Sequence, residues 1–474
     1  MSRPKAQADA VRVPTRRGAE LALLVFAWAI GAAAFAIIHF NRDGSLPPGW
    51  WVVPAIWGGL LAVAHIVVRW RAKYADPVIL PCVGVLGGIG LAMQHRLDLA
   101  LGSNAVTSQL EAMAVGVVAF GAIVIWLRDY RVLQRYPYVL FIIGLGLLLM
   151  PLVPGLGSEI NGSRIWISVF GYSFQPAEVA KIVLTLAFAS YLADRSEVLT
   201  SAGKKLGLFS LPRLRDTVPL FIMFAAGIVV LVFQNDFGTA MLFYGLFVMM
   251  LYVATDRLIW VIGGVLAFGV AALIIFQHAG HIQVRVDSWL HPFSNMDQNG
   301  QMIEGQFGMA WGGLFGRGWG LGSPTRIPLV SSDFISAGIG EELGLVGLVA
   351  ILLLYAFIVA RGFKTALITR DSFGKLLISG LSFVIILQVV AIVGGVTRLL
   401  PLTGLTTPFL SRGGSSLLAN WVIVAMLLVV SNQARRPVVA FEPFVDLDTD
   451  QTAVIDLDGL VEGGVRERVT GGEA

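Results

Sequence analysis

The sequence predicts a polytopic α-helical membrane protein, and three observations support that fold class. Of its 474 residues, 56% are hydrophobic and only 14% are charged, whereas soluble domains carry roughly 25% charged residues. Apolar runs of about twenty residues recur along the chain, and each is long enough to cross a bilayer. These runs lack the period-two alternation of transmembrane β-strands. The chain is therefore expected to be all-α, with about twelve transmembrane helices and a large extracellular loop.

Twelve candidate spans divide the chain. They cover residues 19–40, 50–68, 77–95, 111–127, 137–153, 175–193, 217–234, 237–254, 258–277, 332–360, 374–396 and 413–432. The first follows a basic segment at 1–18 and has no small-residue cleavage site, so we expect it to be retained as a helix. The outer loop at 278–332 is far longer than ordinary connections, which indicates a function. Residues 435–474 are acidic without helical periodicity and predict a disordered cytoplasmic tail.

The positions of Lys and Arg predict the orientation. With the N-terminus in the cytoplasm, the inner segments hold all but nine of the 34 basic residues, as expected for a plasma-membrane protein. The exceptions are Arg42, Arg96, Arg164, Lys181, Arg285, Arg317, Arg326, Arg398 and Arg412. Lys181 lies within a span and the other eight lie on the outer side. Both termini are therefore expected to be cytoplasmic.

The segment NGSRIWISVFGYSFQPAEVAKIV, residues 161–183, leads from an outer loop into the sixth span. Glu178 and Lys181 are three residues apart and share a helix face. Ionisable groups inside a membrane pair with each other or face a polar cavity. This pair is therefore either a structural lock between helices or the lining of a cavity open to the outside. Trp166 is expected to anchor the chain at the membrane interface.

Two further outer segments carry polar residues. Asp236, in the turn QNDFGTA, is expected to cap a helix, and a catalytic role is the weaker alternative. The long loop contains RVDSWLHPF, with Arg285, and the run GGLFGRGWGLGS, whose glycines would permit close approach to a ligand. Its three histidines are expected at the interface or in solvent, because no metal-binding motif accompanies them. They are His278, His281 and His291.

Asp333 opens the sequence SDFISAGIGEELG and is expected in the first turn of the tenth span. It is either a helix N-terminal acid, favoured by the dipole by about 0.3–1 kcal/mol, or a general base kept ionised by that dipole. Glu341 and Glu342 would lie roughly 12 Å deeper, too far to share its proton. A stripe of small residues predicts a close helix contact. Its members are Ser336, Gly340, Gly344 and Gly347.

Residues 394–421 contain Arg398, Arg412 and the glycines that precede Ser415 at the start of the last span. Backbone amides at such a helix start form an anion site. In the predicted topology, the sixth, eighth, tenth and twelfth spans all begin at the outer face. Their N-termini carry partial positive charge and lie on the same side as eight arginines. A bulky anion presented from the outer leaflet is therefore the expected ligand.

Taken together and in order, these motifs resemble those of the SEDS family (RodA, FtsW, SpoVE). The matching stretches are NGSRIWI…FQPAEVAK, QNDFGT, RVDSWLHP, GGLFGRGWGLG, SDFISAGIGEELG and LPLTGLTTPFLSRGGSS, over about residues 75–432. Most family members have ten spans. The resemblance therefore implies a core at 75–434 preceded by two additional helices at 19–74, most like the actinobacterial RodA branch.

The resemblance implies a peptidoglycan glycosyltransferase that polymerises lipid II at the outer face of the plasma membrane, for elongation and cell shape or for division. A class B penicillin-binding protein is the implied partner, and no nucleic acid is expected. Asp333 matches the essential family aspartate and would be the general base. A divalent cation (Mg or Mn) is allowed for, without assigned ligands. The residues implied to bind substrate are Arg164, Trp166, Glu178, Lys181, Arg285, Glu304, Glu342, Arg398, Arg412 and Ser415.

The sequence departs from the family pattern at Asn235, where the family has Pro, at Glu304-Gly305, where it has Gln-Ser, and at Arg412, where it has Tyr. Since Glu304 and Arg412 carry opposite charges, these changes are predicted to compensate each other. Two other functions stay open, a lipid II flippase and a non-catalytic scaffold for the penicillin-binding protein. Asp333→Ala would separate them, because only the enzyme needs a base at the outer face.

Overall fold

A computed structural model describes residues 15–160, 162–169, 171–200, 205–206, 209–210, 214–278 and 280–437. The helices are α1 Arg17–Asp43, α2 Val52–Arg71, α3 Ile79–Leu101, α4 Ala105–Trp126, α5 Pro137–Leu149, α6 Pro176–Thr200, α7 Leu214–Phe233, α8 Phe237–Thr255, α9 Ile259–His278, α10 Gly280–Leu290, α11 Met296–Gly312, α12 Ile335–Ile368, α13 Ser372–Val396 and α14 Gly414–Ala434. Most of the basic segment at 1–18, Asn161, and the tail after residue 437 lie outside the described residues, so those predictions stay predictions.

Each of the twelve predicted spans falls on one of these helices, namely α1–α9 and α12–α14. Nine helices of the described part are at least 18 residues long and apolar enough to cross a membrane. The other three predicted spans lie on α3, which ends in polar residues, and on the shorter apolar segments Pro137–Leu152 and Val218–Phe233. The predicted fold class, a polytopic α-helical membrane protein, is confirmed.

Two small antiparallel sheets add to the predicted all-helical architecture. The first has the order β1-β2-β3, with β1 Gly157–Ile160, β2 Ser163–Val169 and β3 Tyr172–Phe174. Gly162 and Gly171 precede β2 and β3 with φ of 76° and 84°, a left-handed conformation that glycine adopts without strain. The second sheet pairs β4 Lys205–Leu206 with β5 Phe209–Ser210.

The centre of the bundle is formed by α6, α13 and α14, whose apolar stretches are mostly buried, whereas no residue of α9 is buried. Helices that are apolar on all sides are expected both in such a core and facing lipid. The N-terminal helix α1 packs against α3 through two glycines. A Cβ atom at Gly31 would lie 3.1 Å from the Gly88 Cα, so a larger residue would push the two helices slightly apart.

The bundle has two distinct ends. The loop end carries α10, α11, the first sheet and residues 313–334. The opposite end holds a buried charge cluster, in which Asp76 is 0% exposed and pairs with Arg435 at 2.6 Å and Arg361 at 3.9 Å. Burying a carboxylate is costly unless it is paired, so this cluster fixes the link between α2 and α3 to α12 and α14. The loop end is the one predicted to be outer.

Helix α12 is broken at Gly344, which has φ 69° and ψ −172°. The glycine loop, residues 313–323, completes the break by exchanging backbone hydrogen bonds with residues 341–346. Each bond runs from a backbone amide to a backbone carbonyl at 2.9–3.0 Å, and the pairs, amide first, are Arg317 and Glu341, Gly318 and Glu342, Leu345 and Gly313, and Val346 and Leu314. The backbone groups that the break leaves unpaired within α12 thus find partners in the loop.

This arrangement bears on two predictions. At Gly316 the loop approaches α12 closely, since a Cβ there would lie 2.2 Å from the Glu342 carbonyl oxygen. The predicted close approach of the loop glycines to a ligand stays a prediction. The small-residue stripe is interrupted because Gly344 leaves the helical conformation. Only its first part meets α11 closely, where a Cβ at Gly312 would lie 2.1 Å from the Gly340 carbonyl oxygen.

Candidate functional site

Asp333 lies in the site turn, residues 329–334, immediately before α12. The helix begins at Ile335 with Phe334 as its N-cap residue, so the prediction that Asp333 belongs to the first helical turn is wrong. The reason is local. Leu329 adopts φ 53° and its carbonyl accepts hydrogen bonds from the amides of Ser332 and Phe334, which closes a separate turn. The carboxylate is therefore not a helix cap.

The site turn is held from two sides. On one side, the Gln94 side chain on α3 donates to the Ser331 carbonyl at 2.8 Å. On the other, the Arg412 amide donates to the same carbonyl at 2.8 Å, and the Ser411 hydroxyl donates to the Ser332 carbonyl at 2.6 Å. On the site turn these bonds use only the backbone carbonyls of Ser331 and Ser332, so the Asp333 carboxylate takes no part in them.

The carboxylate of Asp333 is half-buried, and burial raises its pKa above the ordinary value for aspartate. A hydrogen bond from the Ser332 hydroxyl and the positive charge of Arg285 oppose this rise only in part. This shift is opposite in direction to the one that a helix dipole would cause, since desolvation outweighs the favourable groups. A raised pKa suits a general base, which works best when its pKa approaches the operating pH.

Arg285 and Arg398 join α10 to the loop that follows α13. Arg398 donates from Nη2 to the Trp289 carbonyl at 2.8 Å, and the Trp289 indole donates to the Arg398 carbonyl at 2.9 Å. Arg285 donates to the Leu402 carbonyl at 3.3 Å and is half-buried. Arg398 thus serves as a clamp, while Arg285 is the cation whose field reaches both Asp333 and Asp236.

An apolar cavity of about 320 Å³ lies beside Arg285. Its walls come from α7, α8, α9 and residues 400–403, with Phe268, Ile275 and Leu402 among the lining side chains. Thr403, also in the wall, is followed by Gly404, where a Cβ would lie 4.0 Å from the Asp333 Oδ2. One wall of the cavity therefore leads directly to the carboxylate, and a guanidinium stands at its edge.

Glu178 and Lys181 are both buried on α6. Lys181 donates to Glu178 and to the Gln388 side-chain oxygen on α13, the latter at 2.9 Å. Gln388 in turn donates to the Thr406 carbonyl at 2.7 Å. The pair is therefore part of a polar chain that ends on the loop packed against the site turn. This geometry favours the structural alternative for Glu178 and Lys181.

Asp236 carries a feature that sequence reasoning missed. It caps α8 as predicted, accepting from the Thr239 amide at 3.0 Å. Its second oxygen, Oδ2, is buried and has no hydrogen-bond partner. Burial and the negative charge of Glu178 raise the pKa of Asp236, against the opposing effects of Thr239 and Arg285. A buried, half-satisfied carboxyl between Glu178 and Arg285 belongs on the list of site residues.

Glu342 is not a free ligand for substrate. It accepts from the Arg96 guanidinium on α3 at 3.0 Å and from the Gly320 amide at 3.2 Å. Arg96 also donates to the Gly322 carbonyl at 2.9 Å, and Glu341 accepts from the Ser323 amide at 2.6 Å. Both acids therefore hold the glycine loop against α3 and α12. In the sequence, Arg96 stands out only as one of the few basic residues that the predicted topology places on the outer side.

Three predicted site residues lie at the periphery. Arg164 is exposed and pairs with Glu159 at 3.7 Å. Trp166 is half-buried on β2, opposite Ser158. Ser415 is buried and accepts from the Gln175 amide at 2.9 Å, which fixes the starts of α14 and α6 to each other.

The departures from the family pattern have local explanations. Asn235 has φ 59° and its side chain donates to the Gly162 carbonyl at 3.1 Å; proline is confined to φ near −65° and could not take that conformation. A Cβ at Gly305 would lie 2.5 Å from the Phe334 ring, so this glycine leaves room for the residue next to Asp333.

Glu304 and Arg412 are both exposed and, within the described chain, form no ion pair with each other. Any compensation between them is therefore not a direct contact.

The described side chains form no preformed site for a divalent cation. In the part of the chain that the structure describes, no group of three or more His, Cys, Asp or Glu residues is placed to hold a metal ion. His291 is exposed and pairs with Asp287 at 3.3 Å, and His278 is exposed at the end of α9. We therefore derive no chemical step from a bound metal.

Comparisons with known proteins complete the description. A family model for cell cycle proteins, FtsW/RodA/SpoVE, matches residues 78–436. The peptidoglycan glycosyltransferase RodA of Mycobacterium tuberculosis (strain ATCC 25618 / H37Rv) is 45% identical over 433 residues, which cover 90% of this chain and 92% of that protein. The stage V sporulation protein E of Bacillus subtilis (strain 168) is 34% identical and covers 69% of this chain and 87% of its own.

Solved structures share the fold. A chain from "Structural coordination of polymerization and crosslinking by a peptidoglycan synthase complex" superposes with a TM-score of 0.62 and 26% identity, covering 77% of this chain and 99% of its own. The rod shape determining protein RodA of Thermus thermophilus gives a TM-score of 0.50 and 23% identity over 82% of this chain and 98% of its own.

Proposed function

The chain belongs to the FtsW, RodA and SpoVE family of cell cycle proteins, and from this premise we propose that it polymerises lipid II with Asp333 as general base. It is a peptidoglycan glycosyltransferase, as its relatives are named at 45% identity over most of the chain. The observation that carries the finer proposal is the half-buried Asp333 carboxylate, which takes no part in the backbone hydrogen bonds around it and lies near Gly404, the residue that follows the wall of an apolar cavity edged by Arg285.

The proposed reaction uses that carboxylate as its base. The sugar 4-hydroxyl of one lipid-linked disaccharide attacks C1 of a second unit, and Asp333 accepts the hydroxyl proton as the new C–O bond forms. The bond from C1 to the pyrophosphate oxygen breaks with both electrons going to that oxygen, so undecaprenyl pyrophosphate leaves. Attack opposite the leaving group inverts C1 and gives the β-1,4 link. Asp333 supplies positioned general-base catalysis, worth about 10²–10⁴-fold.

The substrate's two chemical halves match two features of the site. The undecaprenyl chain is apolar and suits the cavity lined by Phe268, Ile275 and Leu402. The leaving pyrophosphate is anionic and suits Arg285 at the cavity edge, because a guanidinium forms charge-assisted hydrogen bonds with phosphate oxygens. Arg398 and Lys181 act indirectly in this scheme, by holding the loops around Asp333.

The orientation and the partner are parts of the same proposal. The Lys and Arg distribution supports a site outside the plasma membrane and cytoplasmic termini. A class B penicillin-binding protein is the proposed partner, supported by the likeness to a chain of a complex described as joining polymerization and crosslinking. Nothing in the described geometry favours a flippase or a non-catalytic scaffold over the enzyme.

The test is a polymerisation assay on the purified full chain with labelled lipid II, alone and with its transpeptidase partner. Wild type should form polymer, and Asp333→Ala should form none while keeping its fold and partner binding. Asn104→Ala is the matched control, because Asn104 lies at the exposed start of α4 and makes no side-chain cap hydrogen bond. Equal polymer from wild type and Asp333→Ala would refute the assignment of the base.

A further inference from the structure

The N-terminal helix α1 reaches the glycine loop at the loop end. The Asn41 side chain donates to the Trp319 carbonyl at 2.8 Å. The next residue, Gly320, lies directly on α1, since a Cβ there would be 3.1 Å from the Ile38 carbonyl oxygen. Gly320 adopts φ 83°, so the loop turns sharply where it meets the helix. The last turns of α1 therefore form a support beneath residues 319–320.

Helix α1 also contacts α3 beside the site. His39 and His95 approach with 3.0 Å between their Nε2 atoms, and the His95 ring stacks on Phe35 at 4.9 Å between centroids. The two residues that flank His95 on α3, Gln94 and Arg96, both bond segments near Asp333. Gln94 holds the site turn at Ser331, and Arg96 holds Glu342 and the glycine loop.

We propose that Asn41 is a positioning residue for the glycosyl transfer, acting through the glycine loop to hold the broken start of α12 beside Asp333. The inference rests on the proposed function. It gives the N-terminal helices, which precede the matched family region, a part in catalysis. The sequence of contacts runs from Asn41 to the loop at 319–320, then through Glu342 and Arg96 to α3, which also bonds the site turn.

The hydrogen bond of Asn41 is not needed to attach α1 to the bundle. The close contact between Gly31 and Gly88 already fixes α1 against α3, and the opposite end of α1 is fixed where Glu20 bonds His65 at 2.7 Å. The Asn41 side-chain amide instead donates to a backbone carbonyl of the glycine loop, 278 residues away in sequence. Its removal should therefore loosen the loop while leaving the packing of α1 in place.

The experiment uses the full chain in lipid nanodiscs and compares Asn41→Ala, the near-isosteric Asn41→Asp, which lacks the amide donor, and the control Asn104→Ala. Both Asn41 variants should lose about threefold to tenfold in kcat for lipid II polymerisation with KM unchanged, the size expected for one hydrogen bond that orients a site. Hydrogen exchange followed by mass spectrometry should show faster exchange at residues 317–323 in both variants.

The control should match wild type in rate and in exchange. A kcat within twofold of wild type for Asn41→Asp, or unchanged exchange at 317–323, would overturn the inference. So would a loss explained wholly by a smaller folded fraction, which would mark Asn41 as merely structural. If wild type itself forms no polymer, the proposed function fails, and the exchange comparison then decides whether Asn41 orders the loop.

Discussion

Removing Lys181 should destabilise the protein strongly, and removing its partner as well should restore most of the loss. The Lys181 and Glu178 side chains are 3% and 7% exposed. Lys181→Met leaves the Glu178 carboxylate buried without its cation, which costs about 3–5 kcal/mol. It also releases Gln388, which bonds the Thr406 carbonyl. The combined variant Lys181→Met with Glu178→Gln buries two neutral groups of similar volume and should recover most of that free energy of unfolding.

Thermal unfolding can be followed at the only cysteine of the chain. Cys82 is buried and free, so a thiol-reactive dye reports its exposure as the bundle opens. The expected order of melting temperature is wild type, then the double variant slightly below it, then Lys181→Met far below both. The argument from burial would be refuted if the free energy of unfolding of Lys181→Met lay within about 1 kcal/mol of the wild-type value. It would also be refuted if the double variant were as unstable as Lys181→Met.

The same double variant separates the two interpretations of the pair. If Glu178 and Lys181 only hold α6 to α13 and the loop beyond it, the folded double variant should retain most of its polymerisation rate. If they contact lipid II, it should be stable and inactive. The hydrogen bonds seen in the structure lead us to expect retained activity.

Three other predictions follow from single positions. Asp333→Asn should abolish polymerisation yet raise the melting temperature near neutral pH. A carboxyl whose pKa is raised by burial stabilises the fold below its unfolded pKa, and that contribution is lost as pH rises through the folded pKa. The polymerisation rate of wild type should show the opposite trend and fall as pH falls through the raised pKa, which a rate profile against pH would measure. Gly344→Ala should prevent correct folding, because φ is 69° and the new Cβ would lie 2.2 Å from the Gly316 nitrogen, whereas Gly263→Ala, in open space on α9, should be neutral in expression and size-exclusion profiles. Asn235→Pro should lower the melting temperature by loosening the first sheet, since proline cannot adopt φ 59°; an unchanged melting temperature would contradict this.

The parts of the fold that sequence could predict are those set by local composition. The twelve predicted spans coincide with helices because an apolar run of about twenty residues is by itself enough to form a membrane-spanning helix. Asp333 could be placed at the mouth of a helix, but not outside its first turn, because Leu329 closes a separate turn with a positive φ that no pattern signals. The cap at Asp236 was predictable from its type and position, whereas its unpaired Oδ2 was not.

The remainder depends on contacts between distant residues. Arg96 and Glu342 are 246 residues apart, so their pairing left no local signal. The same holds for the glycine loop, whose composition indicates permissive backbone but not which neighbour approaches it. The motif resemblance identified Glu342 and Arg398 as important without revealing that both bond protein atoms in the structure.

The break at Gly344 also bears on how the chain enters the membrane. Residues 345–368 alone make a helix about 36 Å long, enough to cross a hydrocarbon core of about 30 Å. The insertion machinery can therefore accept that segment without taking up Glu341 and Glu342, whose charges would oppose partitioning into lipid. In the folded chain Glu342 pairs with Arg96 on α3, and Glu341 accepts from the Ser323 amide. Membrane crossing and the pairing of these acids therefore rest on different parts of α12, and a variant that loses the pairing should still insert.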